Sequence, residues 1–268
     1  VDAAPEIISA AAARLAAAGI DEPMREARIL ARAAPDDAAF QSFIARREKR
    51  EPVAYILGRR EFWSLELEVT PAVLIPRPDT ETLVEAALTE FKQAQPARVL
   101  DLGTGSGAIL IALLKEWPRA LGMGIDKSAA ALAVAGRNAL RHGVADRMDL
   151  REGDWSKGIT ERFDLVISNP PYIGENEFAH LDPDVRNYEP AEALLSGQDG
   201  LKDIERIAKA LPDLMTPHGR VIVEIGYKQA AGASHIFTTA GLEIVRMAKD
   251  LAGHDRALVA RLPQTAGG

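Results

Sequence analysis

The sequence predicts an α/β fold in which a mostly parallel, doubly wound sheet follows a smaller helical segment. Three observations carry this reading. From Pro76 onward, short apolar strand runs alternate with longer helical stretches, the pattern of βα units that build a parallel sheet. The first fifty residues hold helix-forming runs without strand-like alternation. Between the two, Leu65, Leu67 and Val69 alternate with Glu66 and Glu68, a strand with one dry face.

The elements follow in order. Pro5–Ala18 is rich in Ala, Leu and Ile and stops at Gly19, a helix terminator. The Ala-rich core Ser9–Gly19 could be mistaken for a signal peptide, but it carries Arg14, and its start is acidic (Asp2, Glu6) where a signal is basic. The first residue is Val1 rather than Met, as expected of a processed or trimmed start. Asp21 is placed to cap a second helix beginning near Pro23, with Met24, Ala27 and Leu30 on one face. Pro35 ends it, and Asp36 or Asp37 caps a third helix reaching about Arg50. Pro52 restarts the chain and Gly58 breaks it. After the strand at 65–69, Thr70-Pro71 makes a turn and Val73-Leu74-Ile75 is the expected returning strand of a hairpin. Beyond Pro76, strands are expected at 99–102, 121–125, 148–151, 164–168, 220–225, 242–247 and 257–261, with helices between most of them. This divides the chain into a helical part at 1–61, a hairpin linker at 62–76 and the α/β domain at 77–268.

Composition narrows the function classes. Of 268 residues, 47% are hydrophobic, 26% charged and 5% aromatic, an ordinary globular balance. With no cysteine, disulfides, thiolate metal sites and thiol nucleophiles are excluded. That fits a reducing compartment, and a cytoplasmic location is expected. No run of about 18 apolar residues offers a membrane span. The net charge of −7 disfavours a grip on a long phosphate backbone. One local exception exists: Arg46, Arg47, Lys49, Arg50, Arg59 and Arg60 face only Glu48 and Glu51 within residues 46–60. This stretch is either a solvated face or a docking patch for an acidic partner or RNA. The five histidines, His142, His180, His218, His235 and His254, show no ligand spacing. No metal site is expected.

The sharpest early motif is Asp101-Leu-Gly-Thr-Gly-Ser-Gly107, directly after a strand and opening a helix. Gly103, Gly105 and Gly107 allow a tight turn and close approach of a ligand, with Thr104 and Ser106 between them. The helix N-terminus adds unpaired N–H groups. The spacing G-x-G-x-G differs from the G-x-G-x-x-G of dinucleotide binders and points to S-adenosylmethionine, whose carboxylate is its only anion. Asp126 ends the next strand, about twenty residues on. A carboxylate there can accept both ribose hydroxyls, or it can cap the helix starting at Ser128; beside the glycine turn, the binding reading prevails. Asp154 is a candidate acceptor for an adenine amino group and Trp155 a cover for the ring, against a plain turn beside a core indole.

The fourth sheet strand runs into Asn169-Pro170-Pro171-Tyr172. Ligands of such sheets bind beyond the carboxyl ends of the strands. These residue types suit methylation of a planar nitrogen. An amide NH2 has a delocalised lone pair and two N–H donors, so two acceptors must hold it. The Asn169 side-chain oxygen and the Pro170 carbonyl can supply them. The two prolines stiffen the corner and fix the carbonyl direction. Tyr172 can stack on the planar group. No strong base is required, since positioning alone can be worth roughly 7–11 kcal/mol of barrier.

At this point the chain resembles the release-factor glutamine N5-methyltransferases, the PrmC/HemK family. Beyond the motifs above, the likeness rests on Glu51-Pro-Val-Ala-Tyr-Ile-Leu-Gly58, Phe62-Trp63, Leu74-Ile-Pro-Arg-Pro-Asp-Thr-Glu81, Tyr188-Glu-Pro190, Gly197-Gln-Asp-Gly-Leu201, Glu224-Ile-Gly226 and Gly253-His-Asp-Arg256. It covers roughly residues 50 to 262. The resemblance implies a Rossmann-like class I methyltransferase with a seven-stranded sheet, one strand antiparallel near its edge. It implies S-adenosylmethionine as cofactor, held by Gly103–Gly107, Asp126, Trp155 and Asn169, with Asp101 and Asp154 as further candidate cofactor contacts. It implies the glutamine of the Gly-Gly-Gln loop of class I peptide chain release factors as substrate, held by Asn169–Tyr172. Arg77, Asp79, Thr80 and Glu81 would lie near the cofactor pocket; locally, Asp79 also reads as a helix N-cap. The nearest rival is an amino methyltransferase acting on adenine in DNA or another nucleic-acid base, which would use the same tetrapeptide on a flipped base. The negative charge and the lack of a base-reading domain count against it. An oxidoreductase conflicts with the glycine spacing, and a binding module leaves the ordered motifs unexplained.

Overall fold

A computed structural model describes residues 4–264; Val1 and Asp2, and the C-terminal end of the 77–268 span, lie outside the described residues. Four helices come first: α1 (Pro5–Ala17), α2 (Pro23–Ala33), α3 (Asp37–Glu48) and α4 (Val53–Leu57). Leu15, Ala27, Leu30, Phe40, Ile44 and Ile56 pack into one apolar cluster. The Ala-rich run is a packed helix of this cluster, and Arg14 on its outer side pairs with Glu48 at 2.7 Å. Asp36 caps α3, accepting the Ala39 N–H at 2.7 Å. Two local expectations fail. The N-cap position of α2 is Glu22, not Asp21, and carries no side-chain cap bond; Pro23 in the first turn has no N–H to satisfy. Met24, in the first turn of α2, is exposed while Ala27 and Leu30 are buried.

The hairpin is also placed differently. β1 (Arg59–Phe62) pairs with β2 (Leu65–Glu68), Arg59 opposite Glu68 and Phe62 opposite Leu65. The expected strand Val73-Leu74-Ile75 joins no ladder. Trp63 (φ 51°) and Ser64 (φ 57°) both take positive φ, the two-residue turn that suits strand twist. Val73 and Ile75 are buried beside Tyr55, whose hydroxyl donates to the Val73 carbonyl at 2.7 Å.

The main sheet comprises β3 (Arg98–Leu102), β4 (Leu121–Asp126), β5 (Met148–Glu152), β6 (Phe163–Ser168), β7 (Met215–Glu224), β8 (Glu243–Lys249) and β9 (Asp255–Arg261). Their spatial order is β5-β4-β3-β6-β7-β9-β8. Only β9 runs against its neighbours β7 and β8. Helices α5 (Glu81–Glu90), α6 (Ala108–Glu116) and α7 (Ala129–Arg141) cover one face; α10 (Lys202–Leu214) and α11 (Ala230–Thr239) cover the other. The two short helices α8 (Glu175–Phe178) and α9 (Pro183–Tyr188) lie between β6 and α10. Strand residues divide between two apolar cores: Val99, Leu165, Ile167 and Ile222 face one, Leu100, Val166, Val221 and Val223 the other. That two-sided burial explains the near-continuous apolar runs of these strands. No helix among the described residues is long and apolar enough to cross a membrane.

The order places a topological switch between β3 and β6. The chain winds outward from β3 to β5, then returns to β6 on the other side, so the connections after β3 and β6 diverge and leave a crevice at the carboxyl ends.

Candidate active site

The crevice is a cavity of about 400 Å³. Gly103, Thr104, Gly105 and Ser106 line one side, Asp126 and Ser128 the next, Gly153, Asp154 and Trp155 the far end, and Asn169 and Pro171 the inner end. Asp101, Gly107, Pro170 and Tyr172 do not line it. The glycine turn is shaped by left-handed backbone at Gly103, Gly105 and Gly107 (φ 76°, 54° and 81°). It is tied to the next strand by the Gly103 and Thr104 N–H groups, both donating to the Ile125 carbonyl. Asp126 holds it from the side: its oxygens accept the N–H groups of Gly105 and Ser128, each at 2.9 Å.

Asp101 is buried beneath this turn. One oxygen accepts the Thr104 hydroxyl at 2.7 Å; the other is buried and has no partner. Burial pushes its pKa up to about 7, opposed by the Thr104 hydrogen bond and assisted by the charge of Asp126. Trp155 takes positive φ (54°) and donates its indole N–H to Asp203 at 3.0 Å. Its ring stands where a Cβ on Gly103 would come within 3.3 Å. Asp154 is exposed and pairs with Arg206 at 2.6 Å. Asp203 and Arg206, both from α10, also line the cavity, and the sequence reading missed them.

Asn169 follows β6 directly. Its Nδ2 donates to the Thr80 hydroxyl oxygen at 3.2 Å, and its Oδ1 is buried with no partner. The Tyr172 carbonyl accepts from Gln229 Nε2 at 2.9 Å. Burial and the charge of Glu224 raise the Tyr172 hydroxyl well above the usual phenol range. The residue is half-buried. Glu224, the last residue of β7, is 1% exposed. Desolvation raises its pKa to about 7, against the Thr80 hydroxyl, the Arg256 charge and the Tyr172 hydroxyl, which favour the charged form.

The segment 74–81 is fixed from across the fold. Glu189 accepts the Ile75 N–H at 3.1 Å and pairs with Arg77, tying the wall at 72–77 to the wall at 190–195. Arg77 and Thr80 line the cavity. Asp79 does not cap α5: a short 3₁₀ turn, Pro78–Thr80, intervenes, and its carboxylate faces Arg256 at 3.5 Å. Glu81 accepts the Trp63 N–H at 2.8 Å and so holds the hairpin turn, away from the cavity.

Four of the six basic residues of the stretch, Arg46, Arg47, Arg50 and Arg59, are paired with acids. Arg47 is buried and pairs with Glu26 and with Asp184 of α9, at 2.5 and 2.7 Å. Arg50 pairs with Asp182 and Asp184 at 2.7 and 2.6 Å. Arg46 pairs with Glu51 at 2.5 Å and Arg59 with Glu66 at 3.2 Å. The acids that neutralise Arg47 and Arg50 come from residues 26 and 182–184, outside any local window. Among the described residues no group of three or more acids and histidines is placed to hold a metal ion.

A doubly wound sheet with a glycine turn after its first strand and an Asn-Pro-Pro-Tyr corner across the switch defines a Rossmann-like methyltransferase. Residues 79–181 match the family model described as Methyltransferase small domain. A methyltransferase from Pyrococcus furiosus has the same fold, with a TM-score of 0.56 over 82% of this chain and 96% of that one, at 17% identity. The ribosomal protein L11 methylase from Lactobacillus delbrueckii subsp. bulgaricus shares it at a TM-score of 0.54 over 73% and 84%, at 19% identity. Much nearer in sequence is the release factor glutamine methyltransferase of Cereibacter sphaeroides, 46% identical over 97% of this chain and 99% of that protein. That of Rhodospirillum rubrum is 42% identical over 92% and 82%. The chain belongs to the release factor glutamine methyltransferase family.

Proposed function

We propose that the protein transfers a methyl group from S-adenosylmethionine to the side-chain amide nitrogen (N5) of the glutamine in the Gly-Gly-Gln loop of class I peptide chain release factors, thereby modulating translation termination in the cytoplasm. The helical part docks the release factor and residues 77–268 carry the transfer. The observation that carries this reading is the unpartnered, buried Oδ1 of Asn169 at the switch point. A buried acceptor left open costs about 1–3 kcal/mol, and a substrate NH2 satisfies it.

The cavity fits the cofactor. Asp126 retains lone pairs for ribose hydroxyls, Trp155 and the glycine turn wall the space beside it, and Asp101 supports the turn from beneath. When bound, S-adenosylmethionine supplies an electrophilic methyl group on a positively charged sulfur. This chain supplies the rest. Asn169 Oδ1 and the Pro170 carbonyl accept the two amide N–H donors and hold the nitrogen with its lone pair free. As positive charge grows on that nitrogen, the same two oxygens stabilise it. Pro171 and the half-buried Tyr172 keep the corner rigid. The adenine alternative gains little from the basic stretch, where Arg46, Arg47, Arg50 and Arg59 are paired with acids of the fold.

The test combines methyl-labelled S-adenosylmethionine with a class I release factor and, separately, with DNA. Mass spectrometry should map the label to the glutamine N5; label on a DNA base, or on another side chain, overturns the reading. Asn169→Ala should abolish transfer while calorimetry shows cofactor affinity largely retained.

A further inference from the structure

Asp203 lies in the first turn of α10, outside every motif that the sequence reading singles out. Its carboxylate nevertheless joins two walls of the cavity. One oxygen accepts the Trp155 indole N–H at 3.0 Å. The other accepts the Ser196 hydroxyl at 2.9 Å, and the Ser196 oxygen in turn accepts the Asp203 main-chain N–H at 2.8 Å. Ser196 is buried and follows Leu195, which lines the cavity. This reciprocal pair fixes the Asp203 side chain, and the start of a helix favours its negative charge. Arg206, one turn on, stands 3.4 Å from the oxygen that holds the indole while pairing with Asp154 at 2.6 Å.

Trp155 needs such a hold. Its backbone is left-handed (φ 54°), a conformation that a bulky residue keeps only where its surroundings enforce it. The ring is gripped at opposite edges. At the benzo edge, Cζ3 and Cη2 lie 3.3 and 3.5 Å from the place a Cβ on Gly103 would occupy, so the ring seats on the bare glycine. At the pyrrole edge, Nε1 is tied to Asp203. Two held edges set the plane of the ring between the glycine turn and α10. An indole has a single N–H and no acceptor. With that hydrogen spent on Asp203, what Trp155 offers a ligand is its apolar ring surface.

We propose that Asp203 is a positioning residue for the cofactor, holding the Trp155 ring in place as the wall of the adenine seat. The assignment rests on the reading of Trp155 as the cover of the adenine ring. Asp203→Ala removes the acceptor, and Asp203→Asn keeps an amide oxygen in its place. Calorimetry with S-adenosylhomocysteine should show affinity lowered on the order of 10-fold in Asp203→Ala and held within about threefold of wild type in Asp203→Asn. KM for S-adenosylmethionine should rise in Asp203→Ala, with kcat on a release factor at saturating cofactor within about threefold of wild type, because the acceptor corner lies at the other end of the cavity. In a Trp155→Phe background, which lacks the N–H, Asp203→Ala should cost no further affinity. Unchanged affinity in Asp203→Ala, an equal loss in Asp203→Asn, a loss confined to kcat, or additive losses in the double variant would overturn the proposal. Should Asp203→Ala not fold, Asp203→Ser takes its place, with a side chain too short to reach the indole. If the wild-type protein binds no S-adenosylhomocysteine, the cofactor reading fails. The positioning is then read from the Trp155 indole N–H resonance, assigned by its absence in Trp155→Phe. It should move in Asp203→Ala and hold in Asp203→Asn; an unmoved resonance in Asp203→Ala refutes it.

Discussion

Asp126 shows how one side chain can shape a site. Both of its oxygens hold main-chain N–H groups, at Gly105 and Ser128, and lone pairs remain for the proposed ribose contact. Asp126→Ala should weaken S-adenosylmethionine binding by about 10- to 100-fold, the range for hydrogen bonds to a charged group; unchanged affinity in calorimetry would exclude the contact. Asp101 carries a pH signature. Its pKa is raised from 3.8 to about 7 in the folded protein. Between those values the unfolded chain has lost a proton that the folded chain keeps, so this residue's contribution to stability declines as pH rises through the window and levels off above about 7. Denaturant unfolding of Asp101→Asn at pH 5 and pH 8 should therefore show a smaller difference than wild type; an equal or larger difference contradicts it. The contiguous motifs at 101–107 and 169–172 are legible in the sequence because each is a single turn after a strand. Thr80, Glu224 and Arg256 are named through the resemblance, but that Thr80 and Asn169 touch and that Arg256 meets Asp79 and Asp250 is not legible, since distant segments bring them together.

Elements were legible where burial is periodic and obscure where a turn breaks composition rules. The sheet strands announce themselves by apolar runs covered on both faces. The hairpin was displaced because Trp63 and Ser64 adopt positive φ without glycine or asparagine, and because the buried run 73–75 looks like a strand while pairing with none. The loop 197–201 gains its meaning only in three dimensions. Gln229 accepts the Gly226 N–H at 2.9 Å and donates to the Tyr172 and Asp199 carbonyls at 2.9 and 3.3 Å, bracketing three loops around the acceptor corner. Gly200 sits where they touch: its φ is 76°, and a Cβ there would lie 2.2 Å from the Tyr172 oxygen. Gly200→Ala should cost roughly 1–3 kcal/mol from the backbone conformation alone. Because the clash is with the main chain of Tyr172, it should also lower kcat for methyl transfer more than it weakens cofactor binding. Equal stability and turnover in the variant would show that the bracket is loose.

At the scale of the whole molecule, the helical part is joined to the catalytic domain by charge as well as by apolar contact. Arg47 and Arg50 of the α3 end meet Asp182 and Asp184 at the start of α9, and the Tyr188 hydroxyl donates to the Lys49 carbonyl at 2.6 Å. One residue beyond Tyr188, Glu189 anchors the cavity wall at Ile75 and Arg77. The joint therefore runs without interruption from the helical part to the site, along a segment whose acids the basic stretch needed as partners and whose position no local reading of residues 46–60 could supply. Arg47 is its centre, with a side chain only 5% exposed. Removing one member of a buried ion cluster leaves the others uncompensated, at a cost of about 3 kcal/mol. Arg47→Ala should lose stability by about that amount, and hydrogen exchange should quicken in α3 and α9 together while the strands of the sheet keep their protection. If exchange quickens in α3 alone, the two parts are held by the apolar contact around Tyr55 and Val73, and the ion pairs merely decorate it.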